Sequence, residues 1–229
     1  MRYATGELLL MKEMTITSAE VLGPTAASTP KRRGNRATRV PAIIEASINV
    51  FATEGNAGFT QRRIASDAGI RLRTLQHYFS TREELLRATI EEFVGRYLER
   101  YRVIALDKLS SPEARLDAIV DDVFSTLTGP GTSMSTFALE CWSLAEHEEF
   151  VREEVAKVDG QIMEMFAGLV AKISPTLTSA ECTLRAALLL SHLQGLLVFI
   201  RRSGDNKPEL EAFRHATKVV WKAISKAAQ

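Results

Sequence analysis

The side chains with most to offer chemically lie close together between residues 61 and 82: Gln61, Arg62, Arg71, Leu72, Arg73, Thr74, Gln76, His77, Tyr78 and Arg82. A guanidinium can donate two parallel hydrogen bonds to O6 and N7 of guanine, and a threonine methyl can meet the methyl of thymine. Arg71, Leu72, Arg73, Thr74 and His77 are therefore candidates for reading base edges. Gln61, Arg62, Gln76, Tyr78 and Arg82 are candidates for phosphates or flanking bases, contacts that position a protein without specifying sequence. Arg36 and Arg39, upstream, suit a nucleic-acid backbone or an adjacent minor groove.

Other chemistries find little footing. Glu146-His147-Glu148-Glu149 surrounds a histidine with carboxylates but lacks H-E-x-x-H spacing, and neither G-x-S-x-G nor a phosphate-cradling glycine loop occurs. Cys141 and Cys182 stand far apart, with no C-x-x-C spacing, and read as small buried hydrophobes. No enzyme activity, metal or cofactor is expected.

Side chains of this kind need a rigid carrier, and the local sequence supplies one. Thr60 can cap a short helix that turns Ile64, Ala65 and Ala68 inward. Gly69 breaks it, and a second short helix follows over about 71–78, with Leu75 and Phe79 inward. Two short helices joined at Ala68-Gly69-Ile70 have the spacing of a helix-turn-helix, whose second helix enters the major groove. A longer helix over about 38–53, capped at Thr38 and stopped by Gly55, precedes them. Thr81-x-x-Glu84 before Leu85-Leu86 is a capping-box pattern that starts a helix reaching about residue 106. The first amides of that helix offer a further anion site.

Apolar residues recur three and four apart through the rest of the chain, and strict alternation is absent. Helices are expected near 112–127, 135–146, 150–173, 179–202 and 208–228. The chain thus reads as all-α with about nine helices, the helix-turn-helix near its N-terminal end and a longer helical part after it. The expected division is a flexible basic arm at 1–36, a helix-turn-helix domain at 37–82 and a helical remainder at 83–229. Internal Met11 and Met14 leave the native start open.

The 229 residues carry a net charge of only +1, yet ten basic residues against three acidic ones between 31 and 82 put +7 there and −6 elsewhere. Such asymmetry points to a polyanionic partner for one part of the chain. Apolar runs such as 186–191 and 195–200 are far shorter than the roughly 20 residues of a membrane span, and 8–11 is too short for a signal-peptide core. A cytoplasmic protein is expected, with no membrane contact.

The segment from about residue 43 to 90 resembles the DNA-binding domain of the tetracycline-repressor (TetR-like) family of bacterial transcription regulators. The residues that carry the resemblance are Ile43-Ile44-Glu45-Ala46, Val50-Phe51-Ala52-Thr53-Glu54-Gly55, Phe59-Thr60, Ile64-Ala65-Ser66-Asp67-Ala68-Gly69-Ile70 and 74–85. The resemblance implies an N-terminal three-helix bundle at 37–82 as DNA reader, a larger C-terminal helical domain at 83–229 for effector binding and dimerisation, and a homodimer, in most members a repressor, whose grip on a double-stranded palindromic operator changes when a small molecule binds. Arg71, Arg73 and Gln76 depart from the family's usual small capping residue, glycine and tyrosine.

In the C-terminal part, Phe124, Met134, Phe137, Trp142, Met163, Met165, Phe166 and His192 could line a pocket for a small, largely apolar effector. The last two helices carry broad apolar faces, Ala187, Leu190, Leu193, Leu197 and Phe199 on one and Phe213, Val219, Val220, Trp221 and Ile224 on the other. Such faces suit pairing across a twofold axis. Two alternatives remain at this level: a constitutive DNA binder without effector, and a helical protein-interaction module whose arginines are only surface.

Overall fold

The computed structural model describes residues 36–128, 133–206 and 208–226. Within them lie nine α-helices, one 3-10 turn at Gly204–Asn206 and no strand. They run α1 (Arg36–Gly58), α2 (Gln61–Asp67), α3 (Leu72–Tyr78), α4 (Arg82–Leu106), α5 (Pro112–Thr128), α6 (Ser133–Ala145), α7 (Glu149–Ile173), α8 (Ser179–Arg202) and α9 (Leu210–Lys226). The expected N-terminal arm lies outside the described residues except for Arg36, which opens α1. Because α1 starts two residues before Thr38, Pro41 falls in its second turn, where the amide it lacks would have met a solvent-exposed carbonyl. The expected stop at Gly55 is a break at φ 66, after which a last turn reaches Gly58.

Capping follows the local sequence. Thr60 Oγ1 accepts from Arg63 N at 3.2 Å, and Thr81 Oγ1 accepts from Glu84 N at 3.0 Å. Glu84 returns its carboxylate to Ser80, taking the amide at 2.7 Å and the hydroxyl at 2.9 Å. Those bonds hold its pKa below the usual carboxylate value. Thr178 and Glu181 form a full capping box at α8.

Two apolar cores result. The first joins Phe51, Phe59, Ile64, Leu75 and Leu85 of the N-terminal helices to Phe137, Cys141 and Leu144 of α6. Phe137 stacks on Phe93 at 3.8 Å between centroids and meets Phe51 edge-on at 4.8 Å, so α6 belongs as much to the head as to the body. The second core lies among α4, α5, α7, α8 and α9, around Leu116, Phe166, Leu189 and Trp221. Burying each such side chain contributes about 1.5–3 kcal/mol. By length and composition α8 could cross a membrane, a property hidden in the sequence because Ser191, His192 and Gln194 interrupt its apolar runs. Its Ala186, Leu189, Leu193, Leu196 and Leu197 are buried in the second core.

Along one side α9 is zipped to α5 by a charge ladder. Arg214 and Lys218 pair with Asp121 at 3.1 and 2.6 Å, Lys222 with Asp117 at 2.5 Å, and Lys226 with Glu113 at 3.0 Å. The four-residue step on both helices is what lets successive rungs align.

Candidate functional site

The helix-turn-helix is built on Gly69, whose φ of 62 lets the chain reverse between α2 and α3 with an open face around it. Ile70 N donates back to Ala65 O at 2.9 Å and fixes the reversal. Leu75, wholly buried, pins α3 to the first core. Its opposite side presents Arg73, Gln76 and His77 to solvent, with Arg71 exposed at the N-cap and Arg62 exposed on α2. Thr74 is half-buried, and Leu72 and Tyr78 pack partly against the core. Arg36 is exposed and Arg39 half-buried on α1.

Two residues named for phosphate contact are already engaged in holding the motif together. The Arg82 Nε donates to Phe59 O at 3.0 Å, its Nη2 to Asn56 O at 3.3 Å and to Asn56 Oδ1, and the guanidinium lies over the Phe59 ring. Gln61 Nε2 donates to Phe79 O at 2.9 Å, and Gln76 Nε2 reaches Gln61 Oε1 at 3.5 Å. Gln61 thus serves the Phe79 carbonyl, and Arg82 serves that of Phe59 and shares that of Asn56 with the Phe59 amide. The anion site expected at the start of α4 is likewise occupied, by Thr81 and by the Glu84 carboxylate. Arg63, absent from the sequence candidates, bridges Glu54 at 2.8 Å and Asp67 at 3.2 Å and neutralises acidic groups beside the reader.

Behind the head, α4, α6, α7 and α8 enclose an apolar cavity of about 100 Å³. Met134, Phe137 and Trp142 lie on its wall, as do Phe93, Tyr97, Tyr101, Cys141, Asp159 and Gln194. The other expected pocket residues lie elsewhere. Phe124 packs edge-on to Phe213, and Phe166 edge-on to Trp221 in the second core. Met163 packs beside that core, and Met165 borders a separate groove between α4 and α7. His192 accepts a 2.8 Å hydrogen bond at Nδ1 from Trp221 Nε1, and burial lowers its pKa. The spacing that suggested these residues marks an inward helix face but cannot say which of two cores that face meets.

Asp159 and Gln194 were legible in principle. Asp159 sits four residues after Val155 and three before Ile162, and Gln194 four after Leu190 and three before Leu197, so each is a polar residue at an inward position. Burial pushes the Cys141 thiol up to about 12, which keeps it protonated and unreactive.

Head and cavity meet at α6. Glu140 Oε2 accepts from Asn56 N at 3.1 Å, just beyond the left-handed Gly55, and lies where a Cβ on that glycine would come within 2.9 Å. Asn56 is also the residue that Arg82 holds. One turn of α6 therefore turns Phe137 and Cys141 to the cavity and Glu140 to the reader.

On the far side, α8 exposes Leu184, Leu188, Ser191, Gly195 and Phe199 at helical spacing, and α9 exposes Ala216, Val219, Val220 and Ala223. Of the faces expected from sequence, Leu190, Leu193, Leu197 and Trp221 turn inward, and Phe199, Val219 and Val220 turn outward.

Comparison with known proteins agrees with this geometry. Residues 43–89 match the sequence profile of bacterial regulatory proteins of the tetR family, and residues 112–221 match the C-terminal profile of BetI-type transcriptional repressors. An HTH-type transcriptional regulator BetI from Paraburkholderia phymatum is 28% identical over 196 residues, 85% of this chain and 97% of that one. The match to the BetI regulator of Rhizobium meliloti, at 31% identity, spans 38% of this chain and 42% of that relative. Among solved structures, a putative regulator from Saccharomonospora viridis in complex with choline superposes with a TM-score of 0.70 at 16% identity, covering 84% of this chain and 98% of that one. FadR from Bacillus subtilis in complex with stearoyl-CoA superposes at 0.65 with 17% identity, covering 83% and 100%. The all-helical fold, the exposed α3 and the two matched profiles make this chain a member of the TetR family of bacterial transcriptional regulators, with α2 and α3 as its DNA-binding helix-turn-helix.

Proposed function

We propose that the chain is a cytoplasmic repressor that binds a palindromic operator as a homodimer and leaves it when a small effector enters the α4–α6–α7–α8 cavity. Residues 37–82 would act as reader and 83–229 as effector and dimerisation domain. The observation that carries this reading is α6, which places Phe137 on the cavity wall and Glu140 on the turn that seats the reader. A ligand that displaces α6 by a fraction of an ångström must disturb the Asn56 amide.

Base readout would fall to Arg71, Arg73, Thr74 and His77, and Arg36, Arg39 and Arg62 would follow phosphates. The outward stripes of α8 and α9 would meet their counterparts across a twofold axis, setting two copies of α3 about 34–36 Å apart to reach successive major grooves. Small residues at Ser191, Gly195, Ala216 and Ala223 would let the four helices approach closely. Bound ligands in the two structural neighbours support a cavity of this kind as an effector site.

Selection of bound sequences from a random duplex pool is the direct test. A twofold-symmetric motif, bound with a steep salt dependence, is the expected result. Retention of no sequence above background at low salt would reject the reader assignment, and an operator complex indifferent to every metabolite would leave a constitutive binder.

A further inference from the structure

The cavity wall is not uniformly apolar. Asp159 on α7 and Gln194 on α8 enter it side by side, Gln194 Nε2 donating to Asp159 Oδ2 at 3.0 Å. Asp159 is half-buried, and burial raises its pKa in spite of that bond. Among the described residues no arginine or lysine forms an ion pair with it. Glu154, the other carboxylate on the wall, is differently placed: Arg87 reaches it at 3.5 Å and Lys157 at 3.4 Å.

A carboxylate drawn into apolar surroundings without a counter-ion costs free energy, which an arriving cation restores. With Nε2 engaged, the amide oxygen of Gln194 and the second oxygen of Asp159 are both acceptors, which an N–H or O–H of a bound ligand would satisfy. We propose that the effector is a small protonated amine bearing at least one N–H, its charge on Asp159 and its apolar part against Phe93, Tyr97 and Trp142. This rests on the cavity being the effector site.

Size narrows the class. At about 100 Å³ within a cleft that is only partly closed, the space is of the same order as the roughly 150 Å³ that holds benzene in an engineered core, so an amine of no more than a single ring matches its scale and a long acyl chain does not. An anion would face two carboxylates. A permethylated ammonium would satisfy charge and aromatic faces but leave the acceptors unpaired.

The test is calorimetric titration and thermal unfolding of the full-length protein with two sets of probes. Benzylamine, benzyl alcohol and benzoate place three charges on one ring, and trimethylammonium and tetramethylammonium differ in a single N–H. Benzylamine is expected to bind at least about tenfold more tightly than the alcohol, benzoate not to bind, and trimethylammonium to exceed tetramethylammonium by about tenfold. Asp159→Asn, which removes charge at constant shape, should lower benzylamine affinity by at least about tenfold and leave benzyl alcohol unchanged. Its unliganded melting temperature reports that it folds.

Failure of benzylamine to bind, binding no better than the alcohol or benzoate, parity of the two methylammonium ions, or indifference to Asp159→Asn each overturns the amine assignment. Operator release is read with the same probes. Release by benzyl alcohol or benzoate but not by benzylamine keeps the cavity as the effector site and discards the amine. Benzylamine bound as expected, with an operator complex that no probe disturbs, discards the effector reading instead.

Discussion

Arg73 and Arg82 are the same residue type nine positions apart, and their surroundings give them different work. Arg73 is exposed on α3, so Arg73→Ala should cost about 1–3 kcal/mol of operator binding and relax discrimination at one base pair, measured as the affinity ratio of operator to random duplex. Arg82 donates to the carbonyls of Phe59 and Asn56, and its removal takes these partly buried bonds from the motif. Arg82→Ala should therefore lower folding stability by about 1–3 kcal/mol in chemical denaturation and weaken all DNA alike. Composition alone assigns both to DNA, because a guanidinium suits a phosphate and a carbonyl equally well. His192 adds a pH dependence. Its Nδ1 accepts from Trp221 and so must be unprotonated in the folded chain, and burial sets its pKa below the ordinary 6.5. As pH falls from about 6.5 the unfolded chain takes up a proton that the folded ring resists, so this stability is present above that pH and is lost as pH drops through the depressed value. The melting temperature of His192→Gln should lose that part of the acid sensitivity between about pH 5 and 7.

At the scale of elements, the join of α1 to α6 is where the proposed effector response would pass from cavity to reader. Glu140→Ala should free the Asn56 amide, seen as faster hydrogen exchange there, and weaken operator affinity in the absence of any ligand, while Glu140→Gln keeps an acceptor oxygen and should retain most of both. Gly55→Ala faces two penalties, a left-handed φ of 66 and the Glu140 carboxylate within 3.1 Å of the new methyl. A loss of about 1–2 kcal/mol or more is expected in denaturant unfolding. Thr60, Gly69 and the Thr81-x-x-Glu84 pattern are legible in the sequence because caps and turns are settled by residues three or four apart. The Glu140–Asn56 bond joins positions 84 residues apart, and nothing local to either announces the other.

For the whole molecule, the outward stripes on α8 and α9 and the charge ladder between α9 and α5 act together. Leu188→Glu places a charge in the middle of the α8 stripe and, with the proposed dimer, should shift sedimentation toward monomer, with loss of high-affinity operator binding but little change in helix content. The ladder's side chains are between about a fifth and a half exposed, so each pair is worth little alone, and screening weakens them. Their effect is on the orientation of α9, and so on the stripe it presents.

Periodicity, caps, turn residues and the uneven placement of charge are properties of neighbours in the chain, and from them alone came the helical class, the helix-turn-helix and the exposed basic α3. Which inward face meets which core is different, since it depends on the rotation and offset with which separate helices dock. Tertiary structure alone therefore moved Phe124, Phe166 and His192 out of the cavity, brought Asp159 beside Gln194 within it, and gave Arg82, an expected phosphate ligand, the carbonyls of Phe59 and Asn56 as partners. Side-chain identity names the available chemistry; packing between distant helices chooses the partner.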